Sequence, residues 1–199
     1  MSKPVWKEQK MPSSESSGLE FLLLSPCLMP GKKVFRENKT SVSVEPAQDE
    51  TILFFCTDDQ TKNPHCQNGR FRQFLWGNEE GHNLCDLIVF YARGIEERII
   101  CFTELKDNIK HMGEAVEQVI STYKNLKEYL RFNNKYTAKA FICTYFSGSV
   151  PQEHQKYQQE LKKTFGSGNF ECKCKGDEFT EFLRGKTKTN QGKPKNNRR

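Results

Sequence analysis

The stretch Cys85-Asp86-Leu87-Ile88-Val89-Phe90-Tyr91, followed after Ala92-Arg93-Gly94-Ile95-Glu96-Glu97 by Arg98-Ile99-Ile100-Cys101-Phe102-Thr103-Glu104-Leu105-Lys106, decides how this chain folds. Two apolar runs joined by a short polar connection that contains Gly read as a β-hairpin. Side chains two apart in a strand share a face, so Glu104 and Lys106 point with Ile100 and Phe102, opposite Thr103 and Leu105. Both faces are largely apolar, which predicts cover on both sides of the strands. An antiparallel hairpin also sets the start of its first strand beside the end of its second. Asp86 therefore falls near Glu104 and Lys106, and two acids with a lysine can hold a divalent cation against a phosphate.

Upstream of the hairpin, Thr51-Ile52-Leu53-Phe54-Phe55-Cys56 reads as a strand that ends in the loop from Asp58 to Pro64. Arg70 to Trp76 has apolar positions at helical spacing, closed by Gly77. The run Leu19-Glu20-Phe21-Leu22-Leu23-Leu24 could begin the core, and the polar stretch from Gly31 to Glu50 leans toward β, with Val42 and Val44 alternating, but receives no fixed place.

Downstream, a helix is predicted from about Asp107 or Gly113 to Leu130, with Val116, Val119, Ile120, Tyr123, Leu126 and Leu130 as its buried stripe. Thr137 to Phe146 reads as a central strand. Pro151 opens a polar helix with the stripe Tyr157, Leu161 and Phe165. A short strand from Phe170 to Lys175 follows. The last helix is capped by Asp177, carries Phe179, Phe182 and Leu183, and ends at Gly185. This order predicts an α/β fold, a mixed sheet flanked by helices on both faces.

A chain of 199 residues is long enough for one domain with a proper core. We place it at 19–185, between a flexible N-terminal arm, 1–18, rich in Ser, Lys and Pro, and a basic disordered tail, 186–199. The net charge of +6 favours a polyanion partner only weakly, and part of it lies in the tail. No apolar run approaches the roughly 18–20 residues of a membrane span, and Met1 to Glu8 is too polar for a signal peptide. The cysteines are irregularly spaced, and several sit inside apolar strands, so a reduced, cytoplasmic protein is expected.

Competing sites are weaker. His65, Cys66, His82 and Cys85 are of types that suit zinc but lack its paired two-residue gaps. Cys172 and Cys174 would share one face of a strand. Arg70, Arg72, Lys124 and Lys127 would line a phosphate groove or form a solvated face. No Gly-rich elbow surrounds any Ser, which leaves a serine or cysteine nucleophile unsupported.

The hairpin acids suit phosphodiester cleavage. Mg²⁺ prefers oxygen and keeps much of its water, so one or two carboxylates plus a substrate phosphate complete its shell. Bound water becomes more acidic, and the cation screens charge that builds on the phosphate. Asp86 and Glu104 are the expected metal ligands, with the Leu105 carbonyl as a third, and Lys106 the residue that orients the attacking water.

With Asp86 opening one strand, Glu104-Leu105-Lys106 closing the next and a helix with Gln118 directly after, the chain resembles the PD-(D/E)xK nuclease superfamily from about Thr51 to Phe146. The resemblance implies a restriction-endonuclease-like fold and Mg²⁺- or Mn²⁺-dependent hydrolysis of nucleic acid, DNA before RNA. It also implies that Gln118, between Ala115 and Thr122 at the border of the apolar stripe, reaches the catalytic site. Cys85 stands where the nominal motif has proline. Tyr123 falls one place too late for the Gln-x-x-x-Tyr pattern of the RecB-like branch, so no branch is assigned. Glu20, Glu79 and Glu80 remain open as an upstream acid, and a homodimer that cuts both strands also stays open. The alternative is a catalytically lapsed protein that keeps the fold to bind nucleic acid or to act as a scaffold.

Overall fold

The computed structural model describes residues 27–57, 84–95, 97–129, 136–145, 153–173, 176 and 178–185. The expected arm, the run at Leu19, the helix at Arg70–Trp76, Pro151, Asp177 and the basic tail lie outside the described residues.

Six strands form one mixed sheet in the order β1-β4-β5-β6-β7-β8. They are β1 (Leu28–Met29), β4 (Glu50–Cys56), β5 (Leu87–Arg93), β6 (Glu97–Lys106), β7 (Thr137–Thr144) and β8 (Phe170–Lys173). From β1 to β6 every neighbour is antiparallel, whereas β6, β7 and β8 run parallel. The predicted hairpin is β5–β6, in the register Leu87↔Thr103 and Arg93↔Glu97. Both strands are buried on both faces because the apolar runs do not alternate with polar residues, as the centre of a covered sheet requires.

One face carries helices. A 3-10 turn, Ile109–His111, leads into α1 (Met112–Tyr129), and α2 (His154–Phe165) follows β7. Ala115, Val116, Val119 and Leu126 form the buried stripe of α1, with Leu161 and Phe165 from α2 against Ile88, Ile100, Phe102 and Ile142 of the sheet. Three rings lock this layer. Tyr123 meets Phe102 edge-on at 5.4 Å between centroids and Phe165 at 4.8 Å, spacings that favour aromatic pairs beyond their burial.

The opposite face is covered chiefly by a second, two-stranded sheet, the hairpin β2 (Val34–Glu37) and β3 (Thr40–Ser43). This is what the unplaced β-leaning stretch becomes. Phe35, Val42 and Val44 pack on Phe54, Val89, Tyr91 and Cys101, and the short helix α3 (Phe179–Leu183) adds Phe179, Phe182 and Leu183. Its two-residue turn holds Asn38 at φ 49, a left-handed conformation that Asn tolerates better than most residues.

β8 is described from Phe170 to Lys173, the rest of the predicted strand lying outside the described residues, and Glu178, at the N-cap of α3, makes no side-chain cap bond. The C-terminal end of α3 is instead tied from the sheet, since buried Lys139 on β7 donates to the Phe182 and Leu183 carbonyls at 2.9 and 3.3 Å, a cation where a helix presents its orphan acceptors. The reduced state expected for every cysteine is not met throughout. Cys56 is disulfide-bonded, while Cys27, Cys85, Cys101, Cys143 and Cys172 are not in disulfides. Cysteine pairing is set by proximity in space, which spacing along the chain does not give. No helix among the described residues is long and apolar enough to cross a membrane.

Candidate active site

Asp86 sits just before β5, opposite Glu104 near the end of β6, so the antiparallel register alone brings the two acids together. Both are buried, at 3% and 0% exposure. The Asp86 amide donates to Glu104 Oε2 at 2.9 Å, and the Leu105 amide donates to Asp86 Oδ2 at 2.7 Å. Bonds of this kind fix each carboxyl group through main chain rather than through a mobile side chain. The Thr57 amide holds the Asp86 carbonyl at 3.0 Å.

Lys106, half-buried, places Nζ 2.8 Å from Glu104 Oε1. That oxygen is buried and accepts no hydrogen bond of good geometry, so its only close partner is the ammonium. Burial works against the Lys106 charge, but the Glu104 and Asp86 carboxylates outweigh it and hold its pKa above the ordinary lysine value. Lys106 is therefore a cation at neutral pH.

The acids behave in the opposite way. Burial, then the charges of Glu104 and Glu37, push the Asp86 carboxyl well above the usual carboxylate range. Burial likewise raises Glu104, against the lowering effect of Lys106. A cluster of acids taken out of water keeps protons unless another positive charge arrives.

Glu37 is the residue that sequence reasoning missed. It faces Thr40 across the β2–β3 turn, and the Thr40 hydroxyl donates to the Lys106 carbonyl at 3.1 Å. From there the Glu37 charge helps to push the Asp86 carboxyl up, after burial and Glu104. Glu20, Glu79 and Glu80, the upstream acids left open above, lie outside the described residues. The signal for Glu37 was the alternation of Phe35 with Val42 and Val44 around Asn38-Lys39, a hairpin turn one residue from an acid.

Gln118 is brought to the strand that enters the site. Its Nε2 donates to the Leu84 carbonyl at 3.1 Å, two residues before Asp86, and its Oε1 is buried without a hydrogen-bond partner. One turn on, Thr122 Oγ1 accepts from the Cys85 amide at 2.8 Å and donates to the Gln118 carbonyl at 2.7 Å. Helix α1 thus clamps the backbone on which Asp86 is carried. Leu105 contributes its amide to the site through Asp86 Oδ2.

Among the described residues no group of three or more His, Cys, Asp and Glu side chains is gathered to hold a metal ion by itself. His65, Cys66 and His82 of the zinc alternative lie outside the described residues, and the fourth, Cys85, is a fully buried thiol whose pKa burial and the Glu104 charge push up. Burial also lifts Cys101 to about 12. Neither is a ready thiolate. Comparisons with known protein families, with characterised proteins and with solved structures returned no match to this chain.

Proposed function

We propose that this chain is a metal-dependent nuclease, hydrolysing phosphodiester bonds in nucleic acid, DNA first, on a restriction-endonuclease-like sheet. The observation that carries this reading is the pair of buried carboxylates, Asp86 and Glu104, each with one oxygen held by a main-chain amide, beside a lysine kept charged.

The donor set fits a hard, oxygen-seeking cation. Glu104 Oε1 is a buried acceptor whose close partner is the Lys106 ammonium at 2.8 Å, and the raised carboxyls have a proton to release to a divalent charge. Two carboxylates are the usual protein share of a Mg²⁺ shell, with water and substrate phosphate completing it. Asp86 and Glu104 would hold the ion, with the Leu105 carbonyl as a further ligand, and Glu37 stands next to them. Bound there, Mg²⁺ or Mn²⁺ would acidify water and screen charge on the phosphate.

The protein's own residues divide the remaining work. Lys106, charged and anchored on Glu104, orients the attacking water and donates to a phosphate oxygen, and its raised pKa makes it a donor rather than a general base. Thr122 and Gln118 fix the chain at Cys85 and Leu84 so that Asp86 does not drift from Glu104.

The test is hydrolysis of labelled DNA and RNA, and of bis(p-nitrophenyl) phosphate, in Mg²⁺ or Mn²⁺, for the wild type and the Glu104→Ala and Lys106→Ala variants. Both variants should lose turnover, and Mg²⁺ should raise the melting temperature of the wild type, because a ligand that binds only the folded state stabilises it. Equal rates in all three proteins would falsify the reading. An inert wild type that still binds nucleic acid would instead identify a lapsed nuclease.

A further inference from the structure

The Lys106 carbonyl accepts two hydrogen bonds, one from the Thr40 hydroxyl at 3.1 Å and one from the Tyr145 amide at 2.9 Å. Three segments meet there: the tip of the β2–β3 hairpin, the end of β6 and the residue that follows β7. Tyr145 is 48% exposed. Its ring stacks on no other aromatic, and its hydroxyl makes no hydrogen bond, among the described residues. The other large exposed apolar side chains stand elsewhere, Ile95 in the β5–β6 connection and Val34 at the start of β2. Among the described residues, Tyr145 is the exposed tyrosine, and its backbone is bonded to the lysine of the candidate site.

Two free cations flank the same junction. Asp107 and Asn108 directly follow Lys106, and their side chains accept from the amides of Lys39 and Lys110, each at 3.0 Å. Both lysines are exposed, and neither ammonium joins an ion pair among the described residues. Of the nearby acids, Asp107 accepts from the Lys39 amide and Glu114 lies 3.2 Å from the His111 ring.

We propose that Tyr145, Lys39 and Lys110 form a binding surface for single-stranded nucleic acid, the ring stacking on an unpaired base and the ammonium groups holding the phosphates on either side. The inference rests on the nuclease reading and names its substrate class. A base inside a duplex is already stacked on both faces, so an isolated ring beside the catalytic groups has a use only for an unpaired one. Stacking tolerates any base and cations track any backbone, a combination that recognises single strands without sequence preference.

Fluorescence anisotropy of a short labelled oligothymidine and of a duplex of equal length, in EDTA so that neither is cut, tests the proposal. The wild type should bind the single strand more tightly. Tyr145→Ala should weaken that binding by roughly tenfold and leave the duplex unchanged, while Tyr145→Phe keeps the ring and the affinity. A double Lys39→Ala, Lys110→Ala variant should lose about 1.4 from the slope of log affinity against log salt, since each single-strand phosphate contact contributes about 0.7. Tighter binding of the duplex, or a Tyr145→Ala affinity within about twofold of wild type, overturns the surface. Bis(p-nitrophenyl) phosphate carries no nucleobase, so its hydrolysis separates the two readings. Turnover of it with unchanged Tyr145→Ala binding removes the surface alone. No turnover, with single-strand affinity still lost in Tyr145→Ala, supports the surface and overturns catalysis.

Discussion

Asp86 and Glu104 are tied reciprocally across the β5–β6 hairpin: the Asp86 amide donates to Glu104 Oε2 at 2.9 Å, and the amide just after Glu104 donates to Asp86 Oδ2 at 2.7 Å. The register of one hairpin therefore orders two carboxylates, and the energy that keeps them buried comes from the apolar strands on which they ride. Such an arrangement sets stability against function.

Asp86→Asn should show the conflict. The folded-state pKa of Asp86 is raised, by burial first and then by Glu104. Below the ordinary aspartate pKa both states are protonated and nothing is lost. As pH rises toward the raised value the unfolded chain ionises first, so stability falls through that window. An amide of the same shape carries no charge to bury and can still accept from Leu105. The variant should melt higher at neutral pH, by about 2–4 °C for each kcal/mol gained, and lose that advantage at pH 3. Metal-dependent hydrolysis should drop by about a hundredfold or more. A variant less stable than wild type at neutral pH would show that the Asp86 charge is compensated in the folded protein.

Thr122 is a positioning residue, and its hydroxyl is the partner of the buried Cys85 amide at 2.8 Å. Thr122→Val keeps the shape but strands that donor, at a cost of about 1–3 kcal/mol. Because Cys85 is next to Asp86, kcat should fall while KM holds, and Thr122→Ser should restore both stability and kcat. A valine variant that loses stability with kcat unaltered would confine Thr122 to a structural role.

The β5–β6 hairpin, helix α1 and strand β7 were legible because their signals are local: apolar runs of the right length, a Gly-bearing connection and a three-and-four stripe. Asp86, Glu104 and Lys106 followed, since an antiparallel register is a geometric consequence of the turn. The β2–β3 cover was not, because Phe35, Val42 and Val44 are few and sit among Lys, Arg, Glu and Ser, so only the sheet they pack on identifies them as core. Glu37, Thr40 and Tyr145 reach the site through contacts some 40 to 70 residues away in sequence, such as Thr40 to Lys106 at 66 and Tyr145 to the same carbonyl, which no periodicity encodes. Thr122 looked like a small residue on an apolar stripe, and its hydrogen bond to Cys85 depends on how α1 lies on the sheet.

Acid stability should centre on Glu50 rather than on the candidate site. Its side chain is almost wholly buried and takes Arg184 Nε at 2.7 Å, Arg184 Nη2 at 2.8 Å and the Tyr91 hydroxyl at 3.0 Å. The Arg184 bonds, against the cost of burial, hold its pKa at about 2. A depressed folded-state value means that the contribution is full above the unfolded glutamate pKa and is lost as pH falls from about 4.5 toward 2. Glu50→Gln should cost on the order of 3 kcal/mol at pH 7 and flatten the acid limb of the melting-temperature profile. An unchanged acid limb would mean that Arg184 is solvated and the pair contributes little.

Gly176 holds the β2–β3 cover against the sheet, and its substitution tests whether that cover moves as a unit. A Cβ there would run into the Ser41 carbonyl oxygen and lie 2.7 Å from the Val42 Cα. Both are backbone atoms in the strand that bridges to Gly176, so no side-chain rotation relieves the clash. Gly176→Ala should cost about 3 kcal/mol, the upper end of overpacking, paid locally if the hairpin can lift. Native-state hydrogen exchange distinguishes local from global loss. Amides of β3, together with the Val44 amide that donates to Lys33 at 2.8 Å, should exchange faster, while those of β6 and β7 keep their protection. Because Thr40 rides on the same hairpin and bonds the Lys106 carbonyl, hydrolysis should fall in parallel with that opening. Unchanged exchange in β3 would show that the chain at Gly176 yields and that the hairpin is anchored elsewhere.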